Sequence, residues 1–204
     1  MELRQLSIPD AYVTTPQIRA DERGVFLEWY RFEALESAVG HRLDLRQANT
    51  SVSRKGVVRG IHFADVPPGQ AKYVTVARGA VLDFVVDIRV GSPTFGQWES
   101  VRLDDEKREA LYLGEGLGHA FVALTDDATV TYLVSDVYTP TAEHGVNPLD
   151  AEIGLEFPDD IGELLLSPRD VEAPGLIESR DAGLLPEWDA VRGYYASLTA
   201  VKGA

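Results

Sequence analysis

Cysteine is absent from the sequence of 204 residues, which excludes disulfides, thiolate metal sites and a cysteine nucleophile together. Positive charge is scarce: 19 lysines and arginines stand against 33 aspartates and glutamates, a formal net charge of −14. Such a surface repels a phosphate backbone, so nucleic acid is not expected as a partner, and an anionic ligand must find a local cluster of cations. No apolar run approaches the roughly 18 residues that cross a bilayer, so no membrane association is expected. The first residues, Met-Glu-Leu-Arg-Gln-Leu-Ser-Ile-Pro, lack the basic start, apolar centre and small-residue cleavage site of a secretory signal. The expectation is a cytoplasmic chain. The apolar fraction of 45% is ordinary for a globular protein, and the length suits one well-buried domain over residues 1–204. No repeat, low-complexity segment or linker divides it.

Helical periodicity is also scarce. Phe32, Leu35 and Val39 mark a short amphipathic stretch, and Trp188, Val191, Tyr195 and Leu198 recur at helical spacing near the C-terminus, with Pro186 expected at the start of that helix. Alternation with a period of two is what the chain has instead. Ala80, Leu82, Phe84, Val86 and Ile88 form a dry face, and Val81, Asp83, Val85, Asp87 and Arg89 form a mixed one. Similar runs at Tyr73 to Ala77, Trp98 to Leu103, Ala110 to Leu113, Ala120 to Leu124 and Thr129 to Ser135 are separated by Gly, Pro, Asp and Asn. Many short strands at this spacing predict an antiparallel all-β sandwich or barrel. The segment from Asp159 to Asp181 reads as loop, with Leu164, Leu165 and Leu166 expected to lie on the strands.

The most informative stretch runs from Gln47 to Lys72, where Arg59, His62 and Lys72 fall on two short strands joined by a Pro-Gly turn. Arginine offers a planar fork suited to phosphate, histidine takes a proton near neutral pH, and lysine can hold a developing negative charge. Together they point to acid-base chemistry on a phosphorylated carbonyl compound. Arg23, Arg59, Lys72 and Arg169 are the candidates for the cationic cluster. Each also has an ordinary structural reading: His62 as a packed core histidine, Lys72 as a surface lysine whose stem covers a strand, Tyr132 as a core tyrosine.

Five ordered motifs extend this reading. They are the Gln47 to Lys72 stretch, Asp87-Ile-Arg-Val-Gly-Ser-Pro-Thr-Phe-Gly-Gln-Trp98, Gly116-Leu-Gly-His-Ala-Phe121, Tyr132 through Tyr138, and Leu166-Ser-Pro-Arg-Asp170 followed by Ala173-Pro174. In this order and spacing the chain resembles the dTDP-4-dehydrorhamnose 3,5-epimerases of the cupin superfamily. The resemblance implies an all-β, cupin-type jelly roll with short N-terminal strands and a helix, a C-terminal helical section, and assembly as a homodimer. It implies a substrate, a dTDP-linked 4-keto-6-deoxyhexose, whose C3 and C5 hydrogens flank a carbonyl and leave as protons to give an enolate.

The resemblance makes His62 the base that takes the C3 proton, Lys72 the donor to the enolate oxygen, Tyr132 the acid on the opposite face, and Asp170 the group that orients His62. It assigns Arg59 and Arg23 to the diphosphate, Gln47, Asn49 and His119 to the ligand, Glu143 and Arg169 to further polar contacts, and Tyr138 to a stack on thymine. Phe26 and Glu28 would complete a partner subunit's pocket. Cupins that bind metal use a His-x-His pair, which is missing here, so no metal and no cofactor are expected.

Three departures follow. Arg59 and His62 are three positions apart, which in a regular strand turns them to opposite sides unless Gly60 hosts a bulge. Arg169 stands where the family commonly has lysine, and Gly118-His119-Ala120 replaces the usual Ala-His-Gly, an order resembling enzymes of antibiotic deoxysugar pathways. Tyr132 favours a double epimerase. A C3-only epimerase of natural-product biosynthesis, a ketone isomerase, and a non-catalytic nucleotide-sugar binding module stay open.

Overall fold

The computed structural model describes residues 1–41 and 43–200, and of Phe32 and Ala200 only the backbone. In chain order the strands are β1 (Glu2–Gln5), β2 (Ala11–Thr15), β3 (Arg19–Asp21), β4 (Gly24–Phe26), β5 (Gln47–Ser53), β6 (Val58–Ala64) and β7 (Lys72–Arg78). They continue with β8 (Ala80–Val86), β9 (Trp98–Asp104), β10 (Ala110–Leu113), β11 (Gly118–Ala123), β12 (Ala128–Val134) and β13 (Glu143–Gly145). The helices are α1 (Phe32–Val39), α2 (Pro168–Val171), α3 (Leu176–Asp181) and α4 (Trp188–Ala200). A six-stranded sheet in the order β1-β2-β10-β7-β12-β5 faces a five-stranded sheet in the order β13-β6-β11-β8-β9, and β3 and β4 form a separate hairpin. Every ladder is antiparallel. This is the expected β jelly roll, with the expected short N-terminal strands and C-terminal helices.

Three apolar clusters account for the layers. Between the sheets lie Val74, Val76, Val81, Val85, Leu103, Leu111, Phe121 and Val130. The outer face of the five-stranded sheet, with Ile61, Phe63, Phe84, Val86 and Val122, is covered by the C-terminal section through Ile153, Phe157, Leu164, Leu166 and Leu176. The outer face of the six-stranded sheet, with Tyr73 and Tyr112, is covered through Trp29, Tyr30, Leu35 and Leu43 around α1. Both faces of β8 are therefore covered, and its mixed face lines the space between the sheets rather than meeting water. Residues 159–181 are more ordered than a loop, since α2 and α3 fall there.

The Pro-Gly turn joins two short strands as expected, but it does not make them neighbours. β6 and β7 do not pair: the turn containing Pro67, Pro68 and Gly69 carries the chain from the five-stranded to the six-stranded sheet. Gly69 sits at φ 75°, and a Cβ there would lie 2.7 Å from Glu115 Cβ. His62 and Lys72 thus end on facing walls of the roll. Pro186 also lies outside α4. Its carbonyl accepts from Val90 N at 2.8 Å and Trp188 N donates to Val90 O at 2.9 Å, so a bridge to the sheet precedes the helix.

A buried ion network fixes that end of the chain. Arg89, with 0% exposure, donates from Nε to Asp87 at 2.8 Å and from Nη1 to Asp10 at 2.6 Å, and lies 4.6 Å from the Trp188 ring centroid. Ser92 and Thr94 each donate to Asp87 Oδ2 at 2.6 Å. Burial acts against the Asp87 carboxylate, but these donors hold its pKa below the usual value. Arg89→Met leaves the buried Asp87 without its cation, while Asp10 keeps Arg192 at 3.1 Å, and is expected to cost about 3–5 kcal/mol in urea unfolding. An unchanged midpoint would show that α4 is held by other contacts.

Candidate active site

Along the inner faces of the roll the sequence changes from apolar to polar toward one mouth. On β7 the inward positions read Val76, Val74, Lys72; on β12 Ala128, Val130, Tyr132; on β11 Ala123, Phe121, His119. Because each strand alternates strictly, one polar residue at the same end of each converges on one space. The result is a cavity of about 510 Å³. Arg59 and His62 line it from β6, and Leu165, Leu166, Ser167, Arg169 and Asp170 close its side.

Arg59 and His62 share this cavity because β6 is bulged. His119 pairs with His62 and Phe121 with Arg59, so Gly60 and Ile61 together oppose Ala120 alone. The bulge expected at Gly60 is present, with Gly60 at φ 119°, a conformation that side chains rarely adopt. A Cβ at Gly60 would meet the His119 carbonyl oxygen and lie 2.6 Å from Ala120 Cα.

His62 Nε2 is 2.7 Å from Asp170 Oδ1. Asp170 is held in turn by a single helical turn that Ser167 caps and Pro168 begins: its backbone N donates to Ser167 Oγ, and Ser167 Oγ donates to Asp170 Oδ2 at 2.9 Å. Burial is the largest influence on the Asp170 carboxyl and raises its pKa, but the hydrogen bond and charge of His62, the Ser167 hydroxyl and Arg169 together outweigh it and hold the carboxyl below the ordinary range. An ionised Asp170 accepts from Nε2–H, which leaves His62 Nδ1 as the unprotonated nitrogen.

The facing wall carries Lys72 and Tyr132 on the neighbouring strands β7 and β12. Lys72 is 8% exposed. Burial pushes its pKa down, while the carboxylates of Glu143 and Asp83 pull it back up. Burial raises the Tyr132 pKa, Arg59 opposes this and Glu143 adds to it, so the phenol keeps its proton at neutral pH. Glu143 is held by Gln70 Nε2 at 3.1 Å, and its carbonyl accepts from Arg169 Nη2 at 3.0 Å.

All four expected catalytic residues, His62, Lys72, Tyr132 and Asp170, therefore meet in one cavity, together with Arg59, His119 and Arg169. Gln47, Asn49, Tyr138 and Glu143 lie outside the lining of this cavity: Gln47 and Asn49, at the parity of the lining Ser51 on β5, are joined by a 2.8 Å hydrogen bond, and Gln47 Oε1 accepts from the backbone N of the exposed Tyr138 at 3.0 Å. Arg23, Phe26 and Glu28 do not line it. Arg23 pairs with Asp21, Glu28 pairs with Arg31 at 2.7 Å, and Phe26 is 72% exposed.

Gly118 and Ala120 face away from the cavity. A Cβ at Gly118 would lie 2.6 Å from Ile61 Cγ2, and Ala120 joins the outer core, so their departure from the family order is a matter of packing. Sequence reasoning missed Asp83, whose Oδ1 is 2.9 Å from His119 Nε2, and the capping role of Ser167. The signal for Asp83 was a carboxylate on the inward parity of an otherwise apolar strand. Among the described residues no three of histidine, cysteine, aspartate or glutamate are placed to hold a metal ion, and no helix is long and apolar enough to cross a membrane.

Comparison with known proteins gives the same picture. The family model for dTDP-4-dehydrorhamnose 3,5-epimerase matches residues 5–178. A dTDP-4-dehydrorhamnose 3-epimerase of Streptomyces niveus is 59% identical over 92% of this chain and 90% of its own. A dTDP-4-dehydrorhamnose 3,5-epimerase of Mycolicibacterium smegmatis is 54% identical over 97% of each. The structure of ChmJ, a 3'-monoepimerase from Streptomyces bikiniensis, superposes with a TM-score of 0.94 at 48% identity, covering 97% of this chain and 98% of the other. That structure is a complex with dTDP, with one histidine changed to asparagine and one tyrosine to phenylalanine at the separation of His62 and Tyr132.

Gly60→Ala is expected to lower stability by about 1–3 kcal/mol through backbone strain, read as a shift of the urea midpoint. A variant as stable as the parent would mean that the bulge does not depend on glycine.

Proposed function

The chain belongs to the dTDP-4-dehydrorhamnose 3,5-epimerase family and is an isomerase, and from that premise we propose that it inverts C3 and C5 of a dTDP-4-keto-6-deoxyhexose in deoxysugar biosynthesis. The observation that carries the reading is the placement of His62 and Tyr132 on opposite sheets across one cavity, with Lys72 beside Tyr132. Inversion needs a proton taken from one face of the ring and returned to the other, and two facing walls supply both.

In the proposed sequence His62 Nδ1 takes the C3 proton while Asp170 supports the imidazolium that forms. The charge passes to the C4 oxygen, where Lys72 stabilises it, an effect worth roughly 3–4 kcal/mol for a preorganised donor. Tyr132, kept protonated by its burial, delivers a proton to C3 from the other side. The same groups act on C5 once the ring presents it. Arg59 and Arg169 meet the diphosphate and adjoining sugar, Gln47, Asn49, His119 and Glu143 add polar contacts, and Tyr138 stacks on thymine. The dTDP in the ChmJ complex supports a dTDP-linked substrate.

We take residues 1–204 as one such domain, cytoplasmic because nucleotide-linked sugars are made and used there, and assembled as a homodimer. The exposed β3–β4 hairpin supports the dimer: Val25 and Phe26 are 55% and 72% exposed, and Arg23, Phe26 and Glu28 would complete the partner's pocket. Light scattering should give twice the chain mass, and Phe26→Asp should weaken both assembly and turnover. A fully active monomer would overturn this.

A C3-only epimerase is the second reading, favoured by the Streptomyces niveus relative. Tyr132 does not separate the two, since ChmJ, a monoepimerase, has a tyrosine at the corresponding spacing. Proton NMR of dTDP-4-keto-6-deoxyglucose with the protein in D2O distinguishes them. Deuterium at both C3 and C5 is expected. Deuterium at C3 alone makes it the monoepimerase, and a 3-keto product makes it a ketone isomerase. No exchange with intact dTDP binding makes it a binding module. His62→Asn should lose exchange at C3 while keeping dTDP affinity, and Tyr132→Phe should reduce product yield more than exchange. Normal exchange in the first or unchanged yield in the second removes that residue from the mechanism.

A further inference from the structure

Asp83 occupies a costly position. It lies at 0% exposure on the inward face of β8, between Val81 and Val85, which are also at 0%. A carboxylate in such surroundings destabilises the fold unless other groups compensate it. Its Oδ1 has His119 Nε2 at 2.9 Å, and its Oδ2 has no hydrogen-bond partner. The cation within its electrostatic reach is Lys72, which comes from β7 in the opposite sheet. The Lys72 ammonium makes no hydrogen bond among the described residues, so its charge depends on the field around it. His62–Asp170 at one side of the cavity is thus matched by a second histidine–aspartate pair at its floor, His119–Asp83, of which only the histidine meets the cavity.

Resting on the epimerase reading, we propose that Asp83 is a positioning residue of the reaction: one carboxylate oxygen fixes the His119 ring, and the carboxylate as a whole is, with Glu143, the counter-charge that keeps Lys72 an ammonium in a dry site. The consequence is chemical. An enolate forms only if the C4 oxygen meets a positive donor, and neutral Lys72 would contribute far less. Occupying Nε2 also fixes which His119 nitrogen is left for the ligand. The other titratable or charged groups around Lys72 are Glu143 on β13, Tyr132 on β12, His119 on β11, Arg59 and His62 on β6, and Arg169 and Asp170 on α2. Of these, Glu143 favours the charged lysine, more than Asp83 does, but Asp83 is the fully buried carboxylate of the two, where solvent screens it least.

Asp83→Asn tests this, because the amide oxygen keeps the acceptor for His119 and removes only the charge. The chain has four lysines, so 13Cε-lysine NMR can follow the Lys72 titration directly, assigned with Lys72→Met. In Asp83→Asn the Lys72 midpoint is expected to move to lower pH with dTDP affinity unchanged. C3 exchange is expected to fall on the order of 10- to 100-fold at neutral pH and to recover as the pH is lowered toward the new midpoint. A uniform loss across pH, as from a merely structural defect, would overturn the proposal, and so would an unmoved Lys72 midpoint or unchanged exchange. If Asp83→Asn does not fold, Asp83→Glu serves: it restores the charge, so its Lys72 midpoint should stay near the parent's, and a fall overturns the proposal. The titration is read without substrate, so a parent protein that exchanges neither C3 nor C5 would defeat the epimerase reading alone.

Discussion

Charge held out of water at one end of a jelly roll is the constraint from which the rest of this structure follows. The inner faces of β7, β11 and β12 are apolar over most of their length and become polar at one mouth, where Lys72, His119 and Tyr132 converge, with Asp83 buried behind His119 on β8. Desolvation works against the ionised forms, lowering Lys72 and raising Asp83. Buried charges persist only where opposite charges and hydrogen bonds offset the loss of water. The packing of the two sheets must therefore be tight enough to keep the site dry and exact in register, because a slip of one residue would turn Lys72, His119 and Tyr132 outward together.

The outer layers serve that requirement. Helix α1 and the N-terminal segment cover one sheet, and the C-terminal section covers the other. The C-terminal cover is also part of the site, since Leu165 bridges to Val57 and the turn after it brings Asp170 to His62. Just beyond the end of β8 that pairs with His119, Arg89 ties Asp87 and Asp10 beneath Trp188 and anchors α4. Both devices place ionisable groups where solvent screening is weak, so each partner strongly sets the protonation state of the other.

Much of this was legible in the sequence because alternation of period two is a direct physical signal. Strands β7 to β12 were found within a few residues, and the dry face of β8 was assigned correctly. The parity conflict between Arg59 and His62 pointed to Gly60, and the bulge is there. What stayed hidden depends on contacts between distant segments. A Pro-Gly turn between two strands does not reveal whether they pair or cross between sheets, and β6 and β7 cross. Pro186 looked like a helix start because proline suits that position, but its carbonyl is engaged by Val90. Asp83 looked like one polar residue on a mixed face, because only the second sheet turns that face into an interior.

The crossing of β6 and β7 matters most for the chemistry. Had the two strands formed a hairpin, His62 and Lys72 would share one wall, and a ring bound against it would present a single face to both. Carried to opposite sheets, the base and the oxyanion donor of the proposed mechanism would approach a bound ring from different sides, with Tyr132 next to Lys72. C3 and C5 flank the same C4 carbonyl, so a donor fixed at that oxygen serves either carbon. What then distinguishes one inversion from two is whether the ring can turn about that held oxygen to bring C5 to His62. In the proposed mechanism that freedom would fall to the apolar residues lining the cavity, Val57, Phe121, Leu165 and Leu166, rather than to the groups that move protons. The monoepimerase ChmJ has a histidine and a tyrosine at the separation of His62 and Tyr132, so that pair by itself does not fix whether one carbon or two are inverted.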